Sequence, residues 1–127
     1  MDLKRLLYAA SHEWSDINDQ ICTMGITQYA VDQLTDVTHL QLPKVGTATT
    51  AEKPLGEIES VKAVFDLYAP VTGEVIEVNE AVRRDPSLIN QDPYEKGWML
   101  KIRMVPGSDL SHLMNYEKYS KQIAEGH

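Results

Sequence analysis

Between residues 37 and 42 apolar and polar side chains alternate loosely, and short runs rich in β-branched residues recur at 57–61, 73–78 and 99–104. A two-residue period is that of a strand with one buried face, so these segments predict strands. Pro43, Gly46, Pro54, Pro70, Gly73, Pro86, Pro93, Gly97, Pro106 and Gly107 punctuate the chain at short intervals. That spacing suits a compact β structure with tight turns better than parallel βαβ units. Three stretches read as helical. Thr27 caps a short helix carrying Tyr29, Ala30, Val31 and Leu34, and Asp85 with Pro86 at the first helical position leads into Leu88 and Ile89. Near the C-terminus Ser108 or Asp109 opens a helix bearing Leu110, Leu113 and Met114, and Asn115 re-caps a turn holding Tyr116, Tyr119 and Ile123. No charge run or Gly/Ser-rich linker divides the chain, so the pattern predicts a single, mostly β domain over 1–127 with accessory helices.

A weak internal echo frames one lysine. A turn-and-strand unit over 45–58 precedes Lys62, and another over 70–78 follows it. Two strands with a very short connection place the connecting residues at a hairpin tip, open to solvent and to other proteins. Lys62, between the small or apolar neighbours Val61 and Ala63, is then open to a modifying enzyme. The same position also suits an ordinary solvated lysine.

Composition narrows the classes. With 127 residues, 43% of them hydrophobic, the chain can bury a core without staples. A formal charge of −7 supplies no basic face for phosphates, which argues against a nucleic-acid partner. The apolar stretch at 6–10 is too short for a membrane span and lacks a signal-cleavage pattern, so a soluble protein is expected. Cys22 is the only cysteine and reads as a small buried residue in a reducing compartment. His12-Glu13 lacks the second histidine of a zinc-protease helix, since position 16 is Asp16, and His39, His112 and His127 are scattered, so no metal site is expected. Trp14 and Trp98 read as packing residues. Neither a phosphate-binding glycine loop nor a G-x-S-x-G elbow occurs.

The most specific stretch is ESVKA at 59–63 followed by DLYAPVTGEV at 66–75. Around it, in order, stand HEW (12–14), GIT (25–27), LP (42–43) with VG (45–46), NEA (79–81), LIN (88–90), DPY (92–94) and GW (97–98). This collinear set resembles the glycine cleavage H-proteins over nearly the whole chain. The resemblance implies a barrel-sandwich hybrid fold, with lipoate joined by an amide to Lys62 at a hairpin and no catalytic residue. It implies that the lipoyl arm takes a methylamine fragment from a pyridoxal-phosphate glycine decarboxylase. An aminomethyltransferase would then unload it, and a dihydrolipoyl dehydrogenase would reoxidise it. A tethered arm raises the effective concentration of the reactive group at each docked enzyme. A lipoyl or octanoyl transferase or ligase is the implied modifier, and a free monomer is the implied state. The compartment would be the cytoplasm of a bacterium, or the mitochondrial matrix of a eukaryote after processing.

Glu59, Ser60, Val61, Ala63 and Phe65 are the residues expected to be read by the modifying enzyme or by partners. Glu59 also reads as a plain strand carboxylate, and Gly73, which resembles a permissive glycine of lipoyl-type folds, as a plain turn glycine. Four positions depart from the family's usual pattern: Thr35 and Glu52 replace a common glycine, His39 an aromatic residue and Phe65 a small one. Phe65, three residues past Lys62, is expected either in the core or in contact with the arm or a docked enzyme. Three rival functions remain. A lipoyl relay protein would share every motif, a biotin carrier is disfavoured because no methionine flanks Lys62, and a lysine-amine catalyst would need a buried Lys62.

Overall fold

All nine strands fall into two antiparallel sheets that share one core. The computed structural model describes all residues from Met1 to His127. The larger sheet takes β1 (Leu7–Tyr8), β2 (Glu13–Asn18), β3 (Ile21–Ile26), β5 (Ala48–Thr49), β8 (Gly73–Val78) and β9 (Leu100–Met104) in the order β1-β2-β3-β9-β8-β5. The smaller takes β4 (Val37–Gln41), β6 (Pro54–Ser60) and β7 (Val64–Tyr68) in the order β4-β6-β7. The mostly β expectation holds; the two sheets form a sandwich rather than one closed barrel.

Their inner faces meet in a single apolar cluster. Cys22, Met24, Val75, Leu100 and Ile102 come from the large sheet, and Leu40, Ile58 and Leu67 from the small one. Val31 and Leu34 of α1 (Gln28–Leu34), Val82 of α2 (Glu80–Arg84) and Ile89 of α3 (Ser87–Gln91) join the same core. A second cluster of Leu6, Tyr8, Trp14, Met114 and Tyr119 seats α4 (Tyr116–Ala124) against β1 and β2. There the indole N–H of Trp14 donates to the Pro93 carbonyl at 3.1 Å. Gly25 lies directly across the pair from Trp14, where an added Cβ would stand 2.8 Å from the indole. The large ring and the missing side chain are thus one packing unit.

The caps at Thr27 and Asn115 form as read, each side-chain oxygen accepting a backbone N–H of the first helical turn. Other expectations shift. No helix opens at Ser108 or Asp109: residues 108–110 are irregular and 111–113 form a turn, and the Met114 backbone instead pairs with Tyr8 at 2.7 and 2.8 Å, extending the exposed edge of β1. Asn79 caps α2, a helix the apolar pattern did not separate, and α3 starts at Ser87 with Asp85 accepting its N–H at 3.2 Å. The strand after Lys62 is β7, whereas the 70–78 unit belongs to the other sheet. Gly73 is no turn residue. It opens β8, where an added Cβ would meet the Arg103 carbonyl at 2.0 Å, so its role is close backbone approach to β9.

Candidate functional site

The connection between β6 and β7 is short, and valine and lysine at its centre oppose the positive φ angles that two-residue hairpin loops favour. Neither Val61 nor Lys62 adopts one. Ser60 supplies what the backbone lacks. Its N–H donates to the Ala63 carbonyl at 2.9 Å, and its hydroxyl oxygen accepts the N–H groups of Lys62 and Ala63 at 3.2 and 3.3 Å. The Val61 N–H is held by the Asp36 carbonyl at 3.2 Å, tying the tip to the start of β4. Lys62 is exposed on this braced turn, and its ammonium makes no ion pair. An exposed lysine is unlike the buried amine that a Schiff-base catalyst requires.

The expected recognition residues divide by face. Along β6 the side chains alternate, so Ile58 and Ser60 are buried while Glu57 is exposed and Glu59 half-buried on the outer face. Ser60 therefore builds the turn and presents no surface of its own. Val61, Ala63 and Val64 surround the lysine in solvent. Phe65 pairs across the hairpin with Ile58 and shares the inward face of β7 with Leu67, yet remains 50% exposed.

That exposure opens onto a groove. A cavity of about 390 Å³ is walled on one side by Ile58, Phe65 and Leu67 and on the other by Tyr29, Ala30 and Leu34 of α1. Its far end holds Ser11, His12 and Glu13. Glu13 is 1% exposed and has no cationic partner. One carboxylate oxygen accepts the Ser11 hydroxyl and the other the Tyr68 N–H at 3.0 Å. Burial pushes its pKa up to about 7, against the pull of those two hydrogen bonds. His12 beside it is held below its usual pKa by burial, with its ring 4.8 Å from that of Tyr29.

Ser11 and Glu13 are the residues that sequence reasoning missed. In the sequence Glu13 stands only as half of an incomplete zinc motif, and its one signal is membership of the HEW block. The apolar lining suits the hydrocarbon of an acyl chain on Lys62, and the buried, unpaired carboxyl group suits an amine at its end. Cys22 is fully buried, with its thiol pushed up to about 12, and plays no part. No helix is long and apolar enough to cross a membrane.

Comparison with known proteins agrees with this arrangement. The sequence model of the family described as glycine cleavage H-protein matches residues 6–126. The chain is 46% identical to the glycine cleavage system H protein of Listeria monocytogenes, over 94% of this chain and 96% of the relative. It is 45% identical to the mitochondrial glycine cleavage system H protein 2 of Arabidopsis thaliana, over 97% of this chain and 79% of that one. The crystal structure of a glycine cleavage system H protein from Mycobacterium marinum superposes with a TM-score of 0.88 at 37% identity, covering 95% of this chain and 98% of the other.

Proposed function

Because the chain belongs to the glycine cleavage H-protein family, whose members carry lipoate, we propose that Lys62 is its lipoyl attachment site and that all of 1–127 acts as one carrier domain. The observation that carries this reading is the exposed, unpaired ammonium on a turn braced by Ser60 beside an apolar groove. When bound, lipoate supplies a dithiolane disulfide that takes up and releases a methylamine fragment and is then reoxidised.

This chain's residues supply position and environment. Nζ of Lys62 provides the amide nitrogen and loses its charge on modification. Ser60 holds the tip in one shape for the modifying enzyme, and Glu59, Val61 and Ala63 are the features around it that such an enzyme reads. The groove walls exclude water, and Glu13, oriented by Ser11 and the Tyr68 N–H, offers a carboxylate to an amine at the groove's end. Glycine decarboxylase, aminomethyltransferase and dihydrolipoyl dehydrogenase are the partners this role requires, with a lipoyl or octanoyl transferase or ligase as modifier. The protein itself then serves as a carrier and not as an enzyme. The relatives named above all bear the glycine cleavage name, which favours this role over lipoyl relay. The bacterial and mitochondrial relatives support a cytoplasmic or a matrix setting according to source.

Incubation with lipoate ligase tests the site. The wild type should gain the mass of one lipoyl group and migrate further on a native gel, since one positive charge is lost from a chain of formal charge −7. Lys62→Arg should remain unmodified with a melting temperature close to wild type, because an exposed substitution costs under about 0.5 kcal/mol. Modification of that variant at another lysine would overturn the assignment.

A further inference from the structure

Phe65 is the only phenylalanine in the chain, and it lies where the sealed core gives way to the open groove. Its cross-strand partner Ile58 is 2% exposed and its same-face neighbour Leu67 1%, whereas half of Phe65 is uncovered. The next position on that face is Ala63, immediately beside Lys62. The ring therefore stands between the attachment point and the groove's buried end at Glu13. Val61 and Val64, by contrast, are exposed around the tip, with Val64 on the opposite face of β7. The two valines face solvent, while the phenylalanine faces α1 across the groove.

We propose that Phe65 is a positioning residue for the lipoyl arm: its ring closes over the arm's hydrocarbon and shifts the equilibrium between a groove-docked arm and a free one toward the docked state. This rests on the reading of Lys62 as the lipoyl site. The occupant follows from continuity, since the chain on Lys62 begins three residues from Phe65 and extends the lysine side chain along an apolar wall of matching character. Covering the exposed half of a phenylalanine ring favours the docked state by about tenfold. A small residue here would leave the wall lower and the arm freer. Phe65 touches no reacting atom in this scheme; it sets how long the arm stays shielded.

The test uses lipoylated wild type, Phe65→Ser and Phe65→Leu, with Lys62 modification first established by intact mass. Failure at that step would refute the attachment site itself, separately from the role of Phe65. On the modified proteins, the rate at which tris(2-carboxyethyl)phosphine reduces the arm's disulfide reports its exposure. NMR shift differences between unmodified and lipoylated forms at Tyr29 and Leu67 report groove occupancy. The wild type should be reduced more slowly than free lipoamide and perturb both reporters. Phe65→Ser should be reduced about tenfold faster than wild type with smaller perturbations, and Phe65→Leu should retain most of the protection. Equal reduction rates in wild type and Phe65→Ser, or an unperturbed groove in the lipoylated wild type, would overturn the proposal. The spectra of the unmodified variants check folding, and Phe65→Ala, expected to lose protection as Phe65→Ser does, keeps the comparison decisive if the serine variant is unstable.

Discussion

Glu13 is the only charged side chain among the buried residues, and its ionisation couples the groove to stability. Burial raises its folded-state pKa to about 7 from an ordinary 4.5. Between those values the folded chain holds a proton that the unfolded chain has released, so folding is favoured by acid in this window. The contribution is fully present below about pH 4.5 and is lost as the pH rises through about 7. Glutamine at this position avoids the cost: its carbonyl can accept the Tyr68 N–H and its amide can donate to Ser11. Glu13→Gln should therefore be more stable than wild type at pH 8 by up to about 3 kcal/mol, with the gap closing toward pH 4.5. Thermal unfolding at the two pH values checks this, and a gap of equal size at both would trace the effect to packing instead of charge.

The turns that end elements explain two departures from the family pattern. Thr35 closes α1 at φ 62°, ψ −133°, and Glu52 has φ 70°, backbone regions that favour glycine. A β-branched side chain at the helix end is the more strained of the two, at a cost of about 1–3 kcal/mol. Thr35→Gly should stabilise by about 1 kcal/mol after the added freedom of the unfolded glycine is counted. Glu52→Gly should be close to neutral, since a left-handed surface glutamate is less strained. Denaturant melts of the two single variants measure the contrast, and destabilisation by Thr35→Gly would mean that the residue's side-chain contacts outweigh its backbone strain. His39, on the exposed face of β4, has no structural explanation for its departure.

Across the whole molecule, the second core ties the C-terminal helix to the groove. The Tyr119 hydroxyl lies 2.7 Å from the Thr27 hydroxyl that caps α1 and 2.8 Å from Nδ1 of His12, whose other ring nitrogen faces the His127 carbonyl at 3.0 Å. With Nε2 donating to that carbonyl, Nδ1 accepts the Tyr119 proton, and burial of His12 favours this neutral form. Tyr119→Phe keeps the ring stacked on Tyr8 but orphans Nδ1. It should cost about 1–3 kcal/mol and speed amide hydrogen exchange in the first turn of α1, while leaving lipoylation of Lys62 unchanged. Unaltered exchange in α1 would show that α4 and the groove wall are not coupled.

Local chemistry made much of this protein legible from sequence alone. A cap oxygen acts within a few residues, so Thr27 and Asn115 marked α1 and α4, and the β-branched run of β8 marked its own strand. Short spacing likewise placed Lys62 at a tip, and the ordered motifs around it pointed to the family. Tertiary structure decided what depends on partners distant along the chain. Glu13 is buried because β2 is brought against β7, with its carboxylate on an amide 55 residues away. Gly25 and Gly73 are needed because an indole and a carbonyl from other strands occupy the space of a side chain. The helix read at 108–114 yielded to an edge pairing with Tyr8 that satisfies the same backbone groups. Periodicity reports which side chains seek burial, but the groove exists only because two sheets and α1 leave a gap where they meet, and Phe65 gains its role from lying on the rim.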